Sequence, residues 1–171
     1  MKNQVPSLYK VLSIAGSDSG GGAGIQADIK TITALGGYAT TAITALTAQN
    51  TLGVHSVFEV PASFVSQQID TVMTDIGTDA VKTGMLLCKD IVDVVSLKIK
   101  EYHIKRVVVD PVMLSKNERM LLSTDAIYAL TAHLFPLSQH LADRRVFEVG
   151  ETHRAVRVAR VAVGRQEHVP E

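Results

Sequence analysis

The chain predicts an α/β protein: a mostly parallel sheet with helices on both faces. Three observations carry that expectation. Short apolar extended runs alternate with stretches of helical spacing from Val11 to Leu137. A glycine cluster, Gly20-Gly21-Gly22-Ala23-Gly24, stands between the first such run and the first helix. Val107-Val108-Val109 is an uninterrupted β-branched run of the kind found in parallel strands buried on both faces.

Taken in order, Val11-Leu12-Ser13-Ile14-Ala15 reads as a strand, and Ile25, Ile29 and Ile32 give the helical spacing that follows it. Ala39 to Leu46 mixes small and β-branched residues, reads as a second strand and ends at the corner Thr47-Ala48-Gln49-Asn50-Thr51. Val54 to Val60 is a further extended run closed by Pro61 at a helix start, with Val65, Ile69, Val72 and Met73 along one face. Asp79-Ala80-Val81 is a short strand feeding Lys82-Thr83-Gly84-Met85. Ile91, Val94, Val95, Ile99 and Tyr102 mark another amphipathic helix before the valine run, which stops at Asp110-Pro111. Ser123-Thr124-Asp125 caps one more helix through about Leu134. In a parallel sheet, ligands collect beyond the carboxyl ends of the strands. Gly16 to Gly24, Gln49-Asn50, Lys82 to Met85 and Asp110 to Met113 should therefore meet along one rim.

Size and charge narrow the function. The 171 residues suffice for one domain with a proper core. Seventeen Lys+Arg against seventeen Asp+Glu give a formal net charge of zero, which offers nucleic acid or an anionic membrane no attraction. No apolar run approaches a membrane span and the first seven residues lack the apolar core of a secretory signal. Cys88, the single cysteine, fits a reducing, cytoplasmic setting. The six histidines are scattered without metal-ligand spacing, so no resident metal site is expected of them.

Four glycines in five residues let backbone approach a ligand and should leave the first amides of the helix free to donate to a small polar or anionic one. The turn is not a phosphate-binding P-loop, because Gly21, Gly22 and Ala23 stand where Gly-Lys-Ser/Thr is required after Gly16. Nor is it a dinucleotide fingerprint: Gly20-x-Gly22-x-x-Ile25 lacks the last glycine.

Four ordered segments resemble a known family: Ala15 to Asp28, Thr44 to Thr51, Val81 to Leu86, and Val109 to Met113. They are similar to the hydroxymethylpyrimidine and phosphomethylpyrimidine kinases of thiamine biosynthesis, within the ribokinase-like superfamily. The resemblance implies a ribokinase-like fold and ATP- and Mg2+-dependent phosphorylation of 4-amino-5-hydroxymethyl-2-methylpyrimidine and of its monophosphate. It places Gln49 on the aminopyrimidine, where an amide both accepts from the exocyclic amine and donates to a ring nitrogen. It also places Gly16, Ala23 and Asp28 at the pyrimidine pocket, with Met85 and Val112 as apolar walls. Asp110 would face the phosphates and metal, with Lys82 on the same side. Read from the residues alone, other roles stay open: Gln49 capping a turn with Asn50, Asp28 as a first-turn carboxylate, Met85 and Val112 as core, Asp110 closing a turn, Lys82 snorkelling to solvent.

The chain departs from the family pattern in two places. After Met113 a lysine-serine-glycine segment is usual, and Ser115-Lys116-Asn117-Glu118 stands there, with Lys116 as the counterpart of the lysine. After Leu137 the resemblance ends. Residues 1–137 read as the N-terminal part of the kinase domain and 138–171 as a divergent tail, rich in arginine and valine and lacking lysine from Arg144 onward. The second glycine-rich turn that carries the family's catalytic residue has no match, so no catalytic residue is assigned. The expectation is a C-terminally truncated kinase, with a catalytically inactive product that at most binds the pyrimidine as the alternative. A homo-oligomer is also allowed by the resemblance.

Overall fold

The computed structural model describes residues 8–112 and 122–141. Within them the elements are β1 (Lys10–Asp18), α1 (Gly24–Ala34), β2 (Tyr38–Asn50), β3 (Gly53–Glu59), α2 (Ala62–Asp75), β4 (Ala80–Thr83), α3 (Lys89–Glu101), β5 (Val107–Val109), α4 (Thr124–Ala129) and β6 (His140–Leu141). A π-helical turn, Leu130–Leu134, and a 3-10 turn, Phe135–Leu137, connect α4 to β6. Among the described residues the sheet has six strands in the order β3-β2-β1-β4-β5-β6. Every neighbouring pair is parallel except β2 with β3. No helix among them is long and apolar enough to cross a membrane.

Period-two alternation divides β1 between two layers. Leu12 and Ile14 face α2, α3 and α4 in the main core, with Val81, Val107, Val109, Val65, Ile69, Ile91 and Val95. Val11 faces the opposite way, into a smaller cluster with Ile32 and Ala80 beneath α1. The expected arrangement, helices on both faces of a mostly parallel sheet, is what forms.

Local chemistry sets the helix limits. α1 ends where Gly36 takes a left-handed conformation and Gly37 N–H bonds back to Ile32 C=O. α3 carries Asp90 in its first turn and Lys98 and Lys100 in its last, matching the helix dipole at each end. Ser123 caps α4 as expected, accepting from Ala126 N–H at 3.2 Å.

Three elements differ from the sequence reading. β2 does not stop at Leu46; it runs on to Asn50 and returns as the antiparallel β3, because Asn50 Oδ1 accepts from Leu52 N–H and Gly53 N–H and makes the turn there. The helix expected through Leu134 is α-helical only to Ala129 and then widens into the π turn. Pro136, which has no N–H, stands just beyond and prevents regular continuation. Past Leu137, β6 adds a short parallel strand to the edge of β5.

The π turn is tied to α3 through Asp93, whose carboxylate meets Lys89 one turn earlier and His133 Nδ1 at 2.7 Å. Lys89, opposed by partial burial and aided by His133, holds the Asp93 carboxyl below its ordinary 3.8. A carboxyl depressed by folding stabilises fully above its unfolded value, and that contribution is lost as pH falls through the folded one. Asp93→Asn should therefore flatten the loss of stability on acidification below about pH 4. Urea unfolding across that range measures it; an unchanged slope would show that the contact carries no linkage.

Candidate functional site

β1, β2, β4 and β5 run parallel, so their carboxyl ends, Asp18, Asn50, Thr83 and Val109, lie along one rim. The four segments singled out in the sequence are brought to that rim together.

At its centre is a close approach of backbone. Gly24, with φ +57°, lies against Gly16: a Cβ there would sit 2.2 Å from Gly16 C=O. Ser17 and Gly24 form an isolated antiparallel bridge that folds the glycine turn back over the end of β1. Gly16 is itself tightly covered, since a Cβ on it would come 2.7 Å from Met85 Cε. Opposite Gly16 the β1–β2 register slips: Ala15 pairs with Ile43 and Ser17 with Leu46, leaving β2 with an extra residue. Thr44, in that bulge, donates to Met85 C=O at 2.6 Å and so fixes the segment that carries the methionine.

The amides of the turn ahead of α1 are engaged within the chain: Gly20 N–H donates to Asp18 Oδ1 at 2.8 Å, and Gly22 and Ala23 N–H donate to Asp18 Oδ2 at 3.0 and 2.9 Å. Asp18 is buried, with its own amide on Gln26 Oε1 at 2.8 Å. The carboxylate occupies the position that a bound anion would take, because it reaches the same donors without any association entropy. Sequence reasoning gave Asp18 no role. The signal was present: Asp followed two residues later by Gly is the pattern of an Asx turn.

The turn is fastened to the end of β2 through Ser19. Its hydroxyl accepts from Gln49 N–H at 2.8 Å and donates to Gln49 C=O at 2.7 Å. Asn50, not Gln49, caps the β2–β3 turn. Gln49 is half-buried, and its side-chain oxygen meets Thr47 Oγ1 at 3.3 Å, while the same hydroxyl reaches Ser17 C=O at 3.0 Å.

On the α1 face of the sheet lies a buried charge cluster. Ser13 and Lys82 are paired across β1 and β4, and Lys82 pairs in turn with Val108. Lys82 Nζ lies 3.0 Å from Asp28 Oδ2 and 3.9 Å from Asp110 Oδ2. Ser13 Oγ donates to the same Asp28 oxygen at 2.6 Å. Lys82, Asp28 and Asp110 are 5%, 4% and 4% exposed, so the lysine does not snorkel. Asp28 lies beyond the first turn of α1, which holds no acidic residue, and the helix dipole does not account for it. Gly84 makes room for the ammonium, since a Cβ there would lie 3.2 Å from Nζ and 2.8 Å from Ala15 Cβ.

Of the remaining candidates, Ala23 precedes α1, and Met85 and Val112 are half-buried at the ends of β4 and β5. Val112 N–H bonds to Asp110 C=O at 2.9 Å, a tight turn that holds both at the rim. Met113, Lys116 and the tail beyond Leu141 lie outside the described residues.

An open, mostly parallel α/β sheet with polar and glycine-rich corners gathered beyond its strand ends defines the crevice-site class of α/β proteins. The family model for phosphomethylpyrimidine kinase matches residues 18–142, and the chain belongs to that family. The hydroxymethylpyrimidine/phosphomethylpyrimidine kinase of Bacillus subtilis (strain 168) is 54% identical over 132 residues, 77% of this chain and 49% of that protein. The crystal structure of phosphomethylpyrimidine kinase from Clostridium difficile 630 matches with a TM-score of 0.74 at 45% identity, over 78% of this chain and 58% of that one. A Bacillus subtilis pyridoxal kinase, solved as an ADP complex, matches with 0.69 at 40% identity, over 79% and 50%. The chain thus spans about half the length of the curated relative it matches.

Removing the cation from the buried cluster should leave Asp28 uncompensated. Lys82→Met is expected to cost about 3–5 kcal/mol. Adding Asp28→Asn should recover a large part of that loss. A double-mutant cycle by urea unfolding measures the coupling, and additive losses would contradict it.

Proposed function

We propose that the chain serves ATP-dependent phosphorylation of 4-amino-5-hydroxymethyl-2-methylpyrimidine and its monophosphate. The observation that carries this reading is the gathering of the Gly16–Met85 contact, the Gln49 corner and the Lys82–Asp110 corner on one rim of a family-matched sheet. A flat aminopyrimidine suits a site with an apolar floor, Gly16 under Met85, and an amide at its edge. Gln49 has its backbone locked by Ser19, which aims the side chain while leaving it partly exposed. Its amide would read the amine and ring nitrogen as acceptor and donor, with Ala23 and Val112 closing the ring's surroundings.

Phosphoryl transfer depends on positioning and on neutralising charge. The ADP complex of the pyridoxal kinase supports ATP as the donor. Mg2+ typically takes one or two carboxylates together with phosphate oxygens, and Asp110 at the end of β5 fits that donor set. When bound, the ion would neutralise phosphate charge. Lys82 and Asp28 support that side by holding the approach to Asp110 rigid and dry.

Calorimetric titration of the chain with the hydroxymethylpyrimidine, beside an ATP-consumption assay in Mg2+, tests the reading. Pyrimidine binding with pyrimidine-dependent ATP consumption is expected, and Gln49→Ala should weaken binding at least tenfold, as loss of paired hydrogen bonds implies. Binding without consumption would favour a non-catalytic pyrimidine binder. Unchanged affinity in the variant would remove Gln49 from the site.

A further inference from the structure

We propose that Asp18 is a positioning residue that acts as a resident anion, closing the glycine turn to anionic groups so that only an uncharged part of a ligand is admitted there. The proposal rests on the pyrimidine-kinase reading for the identity of the ligand, but its structural basis is independent of it. Three backbone amides, Gly20, Gly22 and Ala23, converge on the two oxygens of one buried carboxylate at 2.8, 3.0 and 2.9 Å. Convergent amides at a glycine-rich turn make an anion-binding concavity, and here the chain fills it with its own anion. A substrate phosphate approaching this end would meet like charge and find the donors engaged.

The same carboxylate has a second consequence. Its hydrogen bonds fix the path of Ser19 and Gly20, and a Cβ on Gly20 would lie 3.2 Å from Asp18 Oδ1 and 3.4 Å from Gln49 C=O. Ser19 then clasps both backbone groups of Gln49. Asp18 therefore acts on the ligand through the placement of Gln49. Gln26 braces the arrangement from the other side, accepting from Asp18 N–H and donating to Ser17 Oγ at 2.7 Å. For a substrate that exists as an alcohol and as its monophosphate, a filled nest would send the heterocycle toward the turn and the phosphate away from it, whichever form binds.

Asp18→Ala empties the nest and leaves three directed donors. In this variant, formate should bind saturably, moving the amide proton resonances of Gly20, Gly22 and Ala23, while inorganic phosphate should perturb the same three amides. Pyrimidine affinity should fall about tenfold or more and be restored by formate, because a loss confined to folding would not respond to a small carboxylate. Absence of formate and phosphate effects on those amides would overturn the proposal. If the variant fails to fold, the unaltered chain decides: through-hydrogen-bond couplings from the Asp18 carboxylate to the three amides, with no response of those amides to phosphate, support it. Missing couplings or a phosphate response refute it. These readings need no pyrimidine, so they stand apart from the titration that tests the function itself.

Discussion

The rim is organised around a cation where the sheet has little water to offer. Lys82 sits in β4 between Val81 and Thr83, all buried, and its ammonium is met by Asp28 from α1 and by Asp110 from the end of β5. Withdrawing such ions from water costs several kcal/mol each, which their attraction returns only when the geometry is close and the remaining oxygens are hydrogen-bonded. The absence of a side chain at Gly84 lets the ammonium come close, and the Ser13 hydroxyl adds a second donor to the Asp28 oxygen that Lys82 meets. Apolar residues of like volume would pack as well in that layer. What they would not provide is a penalty on every misplacement of α1 against β4, and the charge cluster therefore fixes where the glycine turn leading into α1 must lie.

The turn has its own closed electrostatics. Asp18 is served by three amides and Gln26, and Lys30 reaches Gly21 C=O at 2.8 Å from the next turn of α1. A segment with so many glycines loses much conformational freedom on ordering. The hydrogen bonds to Asp18 offset part of that loss and convert a flexible sequence into a defined corner.

Most of the sheet was legible because parallel strands buried on both faces must be short and apolar, and Val11–Ala15, Val81 and Val107–Val109 could be little else. Legibility failed where side chains, not patterns, decide. The extent of β2 depends on Asn50 making the turn, which its neighbour Gln49 could equally have been assigned. The cluster was half visible: Asp28 shares the stripe of Ile25 and Ile32 on α1, a position that demands a partner, but nothing local to Lys82 says that it is the partner 54 residues away. Asp18 is hidden for a different reason: glycines signal donors, while the acceptor that satisfies them precedes them in the chain.

These closed systems divide labour along the rim. Asp18 with its amides and Lys82 with Asp28 are bound within the chain, and a ligand that used the same atoms would have to displace those contacts first. Gln49, Met85 and Val112 are different: each is half-buried and each is held through its backbone. An amide and two apolar groups suit a flat, uncharged heterocycle better than they suit a phosphate. The polar groups that the fold has already used thus separate the structural part of this end of the sheet from the part that the proposed pyrimidine reading draws on.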